Sequence, residues 1–173
     1  SITVPDSVNV IEYSAFAYCA KLENVIIGSG VISIGDGAFQ DCVGLNNVTI
    51  GSSVTTIGPC AFSGCTGLES IAIPDSVKNI GHTAFSGCTG LKNVAIGKGV
   101  TNIERDAFCL CTELKSITIP SSVTSIGVSA FFECAKLTSV AFEGTKEQWN
   151  SVSKAGSWID NTPTTVVHCS DGD

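Results

Sequence analysis

A 23-residue pattern repeats along this chain of 173 residues, and its period limits the possible folds more than any other feature. The pattern occurs six times in full and starts a seventh time, with the copies beginning at Ser1, Asn24, Asn47, Ser70, Asn93, Ser116 and Ser139. One unit of this length cannot bury its own apolar side chains, so successive copies must stack and share a continuous core. The sequence therefore predicts a repeat solenoid over residues 1–144.

Each copy combines the signals of a strand, a turn and a helical segment. Branched apolar residues alternate with other residues, as at Val25 and Ile27, which indicates a short half-buried strand. Gly or Pro with polar residues follows, which indicates a turn, and the next Val and Ile suggest a second short extended or irregular segment. Ala-Phe, Cys and Leu then recur at spacings of three and four, which predicts one face of a helical turn.

These residues resemble a known family of repeats. Residues 114–134 read Leu-x-x-Ile-x-Ile-Pro-x-Ser-Val-x-x-Ile-Gly-x-x-Ala-Phe-x-x-Cys, which is similar to the BspA-like (treponemal-type) leucine-rich repeat. The expected fold class is an α/β repeat solenoid, a right-handed leucine-rich-repeat superhelix with one parallel sheet. A parallel β-helix is the alternative, but it would favour alternation throughout, whereas the helical spacing favours the leucine-rich form.

The resemblance also implies a location and a role. Members of this family are commonly secreted or surface-displayed proteins of host-associated bacteria and some protists, and some are implicated in adhesion to host extracellular proteins. We therefore expect an extracellular or cell-surface binding module with a protein or glycan partner. The alternative is a structural spacer that displays another domain of a longer surface protein.

The two ends of the chain differ from the repeats between them. Residues 145–173 are expected to cap the core, with a short helix after the capping-box spacing of Thr145 and Gln148 and a closing strand within residues 164–169. Trp149 and Trp158 are interpreted as packing residues of this cap. Because Ser1 is the first position of a repeat, we expect a portion of a longer protein with an exposed first coil.

Charge limits the class of partner. The net charge is −7 and the nine Lys and Arg are scattered, which argues against nucleic acid because phosphate binding needs a cationic face. No apolar run approaches the roughly 18 residues needed to cross a bilayer, so membrane insertion is not expected.

Cysteine is the residue type that most resembles a metal site in this sequence. Six of the nine cysteines recur once per copy between the Phe and Leu columns, at Cys19, Cys42, Cys65, Cys88, Cys111 and Cys134. One small apolar side chain per coil predicts a packing ladder, because zinc sites usually use closely paired ligands. Cys60, Cys109 and Cys169 lie outside the ladder, and the Cys-x-Cys motif at 109–111 is too small for a site alone.

No arrangement for catalysis stands out either. His82 occupies a variable corner and is predicted to be a solvated loop residue, while His168 beside Cys169 lacks an orienting third group. The carboxylates are spread over turns, and the sequon at Asn47 is interpreted as chance. We therefore expect no catalytic residue, metal ligand or cofactor and predict that the chain is not an enzyme.

Two surfaces are candidates for binding a partner. On the outward face of the sheet, one column changes from acidic at Glu23 and Glu69 to basic at Lys92 and Lys115 among small residues. This face lacks the Trp, Tyr and Arg that dominate binding hot spots, so weak binding through many repeats is expected there.

On the helical side, Leu110 and Phe132 occupy columns that otherwise hold mostly small or polar residues. They predict either an exposed apolar patch or a contact with the cap or a neighbouring chain.

Overall fold

In the computed structural model, which describes residues 1–164 and 166–172, the chain winds into a stack of coils joined by parallel strand pairs. The elements in chain order are β1 Ile2–Val4, β2 Val10–Ile11, β3 Asn24–Ile27, β4 Ser33–Ile34, β5 Asn47–Thr49, β6 Thr56–Ile57, β7 Ser70–Ile73, β8 Asn79–Ile80, β9 Asn93–Ile96, β10 Asn102–Ile103, β11 Ser116–Ile119, β12 Ser125–Ile126, β13 Ser139–Phe142, α1 Lys146–Ser151, β14 Ser153–Lys154 and β15 Val167–Cys169. Each of the first six coils contributes one longer and one two-residue strand.

The strands form two stacks along the solenoid. The odd-numbered strands form the parallel ladders β1-β3-β5 and β7-β9-β11-β13-β15, and these two ladders contact each other at β5 and β7. The even-numbered strands form one seven-stranded parallel ladder from β2 to β14. Partners in the first six coils lie one repeat apart in the sequence, as in Ile2 with Val25 and Ile11 with Ile34. The predicted solenoid of 23-residue repeats is therefore confirmed, and a second stack of strands accompanies the sheet that was expected.

The Ala-Phe-x-x-Cys-x-x-Leu segments form consecutive turns and not the predicted helical turn. Two columns adopt positive φ, one containing Ser14 and Gly37 and the other containing Tyr18 and Gly64. These two left-handed residues, four positions apart in each coil, interrupt an α-helix. Alternate N–H groups instead reach the next coil, so that Phe62 donates to the Ala84 carbonyl at 2.8 Å. The turn side is thus hydrogen-bonded from coil to coil, like the strands.

The core is a set of ladders in which each coil supplies the same apolar side chains. The second, fourth, eighth and eleventh repeat positions point inward with the Ala, Phe, Cys and Leu columns, and most of these side chains are fully buried from the second coil onward. Six Phe rings form a parallel stack with centroid separations of 5.2–5.4 Å and interplanar angles of 4–9°, namely Phe16, Phe39, Phe62, Phe85, Phe108 and Phe131.

Beyond the last complete coil, the chain covers the end of this stack. Thr145 and Gln148 form the capping box of α1, and β14 and β15 extend the two ladders by pairing with β12 and β13. The Trp158 ring meets Phe131 edge-on at 6.0 Å, and Trp149 lies 5.7 Å from Trp158. The closing strand expected within 164–169 occupies 167–169, and Thr165 lies outside the described residues.

We propose that residues 145–173 act as a cap and predict that Trp158→Ala lowers the free energy of unfolding by about 2–3 kcal/mol. The change removes the ring that covers Phe131, and the half-buried position of Trp158 keeps the loss below that of a fully buried Trp. Urea unfolding followed by circular dichroism measures the loss, with Trp158→Phe as the control that retains an aromatic ring. A loss below 0.5 kcal/mol, about the scale of an ordinary surface substitution, contradicts the cap.

Candidate functional site

Five of the six ladder cysteines are buried packing residues with a defined hydrogen bond, whereas Cys19 of the first coil is exposed. From the second coil onward each thiol lies 3.0–3.3 Å from the Phe carbonyl of the preceding coil, as Cys88 does from Phe62, and is placed to donate to it. Burial raises the pKa of Cys88 and of Cys134 to about 12, so these thiols stay protonated at neutral pH. Within residues 1–164 and 166–172, no three His, Cys, Asp or Glu side chains are grouped so that they could hold a metal ion.

The two histidines lie on the surface of different coils. His82 is half-buried at a corner, and its Nδ1 lies 3.3 Å from the Thr83 hydroxyl. His168 is exposed on β15, where it is in register with Ala141 of β13. The structure therefore places the two imidazoles on separate parts of the solenoid, at the corner of the fourth coil and on the last strand.

The predicted column on the sheet face is exposed, and two of its members form an ion pair. Glu23, Glu69, Lys92 and Lys115 all point to solvent, and Lys92 Nζ lies 2.8 Å from Glu69 Oε1. The acidic and basic parts of this column therefore neutralise each other where they meet. Exposed pairs of this kind contribute about 0–1 kcal/mol to stability, so both side chains remain free to exchange partners.

A second ion pair beside this column was missed from the sequence. Lys136 Nζ lies 2.7 Å from Glu113 Oε1, and the hydrogen bond from Lys136 is the main cause that lowers the pKa of Glu113. The positive charges of Lys115 and Lys92 lower this pKa further. The signal was present in the sequence, because each pair joins opposite charges at positions one repeat apart.

On the turn side, Leu110 and Phe132 are neighbours in adjacent coils. The Leu110 N–H donates to the Phe132 carbonyl at 2.8 Å, the Leu110 side chain is 39% exposed, and Phe132 is half-buried. Leu110 adopts a φ of 61°, in the column where the third and fourth coils have Gly64 and Gly87. A large apolar residue therefore occupies a position whose backbone favours glycine.

Two carboxylate residues flank this pair along the chain, and their part was missed from the sequence. Asp106 lies four positions before Leu110, and Glu133 directly follows Phe132. Burial raises the pKa of Cys109, and Asp106 and then Glu133 raise it further. Because Asp106 and Glu133 occupy different columns of successive repeats, a comparison column by column does not bring them together. The stacking of the fifth and sixth coils sets the two stretches side by side, since the Leu110 N–H donates to the Phe132 carbonyl.

The described residues, 1–164 and 166–172, include no helix that is long and apolar enough to cross a membrane. The single helix among them, α1, has six residues.

Stacked 23-residue coils with parallel strand ladders and columns of buried apolar residues define a leucine-rich-repeat solenoid. The family described as "BspA type Leucine rich repeat region (6 copies)" matches residues 1–88 and 33–153. The chain belongs to this family. A search of curated proteins gave no match.

Solved structures of bacterial repeat proteins share the fold. A leucine rich cell surface protein from Faecalibacterium prausnitzii A2-165 is 34% identical with a TM-score of 0.62, over 88% of this chain and 34% of that one. The leucine rich repeat protein of T. pallidum is 25% identical with a TM-score of 0.61, over 90% and 68% of the two chains. The pneumococcal vaccine antigen PcpA, at 24% identity, has a TM-score of 0.73 over 82% and 40% and indicates the fold alone. The chain thus spans about a third of the length of the Faecalibacterium protein.

Proposed function

We propose that this chain is a macromolecule-binding module of a bacterial surface or secreted protein, with a protein or glycan as its partner. The observation that carries the proposal is a solenoid, hydrogen-bonded from coil to coil, whose long surface is exposed while its core columns are buried. Solenoids of this kind offer extended surfaces on which contacts from several repeats add up. The name of the 34% identical relative, a cell surface protein, supports the proposed location.

The proposed contacts lie on the two surfaces that the sequence suggested. On the sheet face they are Glu23, Glu69, Lys92 and Lys115, which are exposed and form one column. On the turn side they are Leu110 and Phe132. The proposed role is non-catalytic, and the first six repeats run without an insertion that would interrupt the column pattern.

The test is binding of the purified chain to an array of secreted host proteins and glycans at two salt concentrations. We expect a saturable hit that weakens about tenfold when Leu110 and Phe132, or Lys92 and Lys115, are replaced. A blank array, together with the absence of the intact protein from surface and secreted fractions, would overturn the proposal.

A structural spacer is the second candidate function, and the sheet face favours it. Glu69 and Lys92 form an ion pair with each other, and the neighbouring outward residues Ala72 and Ala95 offer little contact area to a partner. If the chain is a spacer, an unrelated solenoid of equal length should replace it in the parent protein without loss of binding.

A further inference from the structure

Three apolar residues on the turn side of coils five and six are partly exposed. Leu110 and Val128 are 39% and 43% exposed, and the half-buried Phe132 is hydrogen-bonded to Leu110 through its carbonyl. We call these three residues the C-terminal turn patch. In the fourth coil, Ser86 and Gly87 hold the positions of Phe132 and Leu110, so that coil offers little apolar area there.

The rim of the C-terminal turn patch is acidic. The Asp106 N–H donates to the Val128 carbonyl at 3.0 Å, and the Glu133 N–H donates to the Asp160 carbonyl at 3.1 Å, so three carboxylate residues belong to the backbone around the patch. In the chain, Asp106 lies four positions before Leu110, and Glu133 directly follows Phe132. Both carboxylate residues therefore belong to the same two coils as the apolar side chains.

The same sign of charge extends along the turn side. The six turn segments 12–18, 35–41, 58–64, 81–87, 104–110 and 127–133 contain six of the sixteen carboxylates but only one of the nine Lys and Arg, Arg105. On the sheet face, by contrast, Glu69 and Glu113 are each paired with a lysine. The turn side therefore holds uncompensated negative charge, which attracts a cationic partner and repels an acidic one.

The distance between the two coils that carry the patch suggests a helical conformation for the partner segment. Coils five and six are 5.4 Å apart, measured between the Phe108 and Phe131 rings. Side chains three or four positions apart on a helix are separated by about 5–6 Å, so successive apolar residues of a helix match successive coils. Basic residues beside that apolar stripe would then face Asp106 and Glu133.

We propose that the C-terminal turn patch binds a cationic amphipathic helix of a partner protein, with apolar side chains on Leu110, Val128 and Phe132 and Lys or Arg against Asp106 and Glu133. This inference rests on the proposed binding function and names its surface and partner class. A partner of this kind combines apolar burial with charge pairs at the rim, where pairing mainly sets specificity and association rate.

The test uses a synthetic amphipathic peptide of about 18 residues, with leucine on one face and lysine on the other, and a counterpart with glutamate in place of lysine. Fluorescence anisotropy measures the binding of each labelled peptide to the folded chain. We expect saturable binding of the lysine peptide, weakened by salt, and at least tenfold weaker binding of the glutamate peptide.

Variants locate the surface. The double substitution Leu110→Gly with Phe132→Ser introduces residues that the same columns already carry in Gly87 and Ser86. It is expected to weaken binding of the lysine peptide about tenfold. The double substitution Asp106→Asn with Glu133→Gln should weaken binding of the lysine peptide about three- to tenfold and reduce the salt dependence of that binding. The matched control is Ile26→Thr, which removes a 50% exposed apolar side chain from the sheet face and should change binding less than twofold.

Equal binding of the lysine peptide to the chain and to the Leu110/Phe132 variant overturns the inference, as does equal binding of the two peptides. This result is separable from a failure of the proposed function. If the Leu110/Phe132 variant still gives the same array hits, the chain is a binding module but its binding surface lies elsewhere. A blank array, together with the absence of the intact protein from surface and secreted fractions, instead rejects the module itself.

Discussion

Phe85→Ala is expected to lower the free energy of unfolding by about 3–5 kcal/mol, one of the two largest effects that we predict for this chain. Phe85 is fully buried in the middle of the aromatic stack, 5.3 Å from Phe62 and 5.2 Å from Phe108. Its removal leaves a cavity and breaks two ring contacts at once. Because each coil is stabilised by its neighbours, the two halves of the solenoid should also unfold less cooperatively.

Urea unfolding followed by circular dichroism measures this loss and the change in slope of the transition. Phe132→Ala is the matched control, since it removes the same side chain from a half-buried position on the turn side. This control substitution is expected to lower the free energy of unfolding by about 1 kcal/mol or less. A loss of similar size in both variants would contradict the view that the internal stack, and not apolar area in general, holds the coils together.

Alkaline pH is expected to destabilise the chain far more than its surface charges would suggest. Burial raises the pKa of Cys88 and of Cys134 from the ordinary 9.0 to about 12, and it also raises the pKa of Cys65 and Cys111. Above pH 9 the unfolded chain loses these protons while the folded chain keeps them. The contribution of each thiol is therefore complete below pH 9 and is lost as the pH rises towards 12, at about 1.4 kcal/mol per pH unit.

The measurement is the urea midpoint and slope between pH 8 and pH 11 under reducing conditions. Cys88→Ser removes one buried thiol, and its loss of stability per pH unit should be about 1.4 kcal/mol smaller than that of the unsubstituted chain. Cys19→Ser is the control, because Cys19 is exposed and meets solvent in the folded and unfolded states alike. An unchanged pH dependence in Cys88→Ser would show that the ladder thiols do not govern alkaline unfolding.

The candidate surfaces show which surface features a column-by-column comparison of the repeats can predict. It identified Leu110 and Phe132 as departures from their columns, and both lie side by side on the turn face. It did not identify the acidic rim, because Asp106 and Glu133 occupy different columns of different coils. Opposite charges one repeat apart, such as Glu113 and Lys136, were within its reach and were overlooked.

The repeat pattern was enough to predict the solenoid, its 23-residue period and its buried columns. Apolar residues at fixed repeat positions, such as Val25, Ile27 and Phe39, must share a core. Stacking the equivalent positions of successive repeats buries the apolar side chains of every repeat. Thr145 and Gln148 likewise determined the start of α1, because capping is a local interaction between residues three apart. Such features depend on neighbours in sequence or on the period alone.

The conformation of the turn side, in contrast, depends on contacts between coils and could not be predicted from the pattern. The Ala-Phe-x-x-Cys-x-x-Leu spacing fits a helical turn, but Phe62 and its equivalents donate their N–H groups to the next coil, and two residues per coil adopt positive φ. Hydrogen bonds between coils compete with those inside a helix, and their balance depends on contacts between residues that are far apart in the sequence. For the same reason, the structure and not the sequence placed Asp106 and Glu133 on stacked coils beside the C-terminal turn patch.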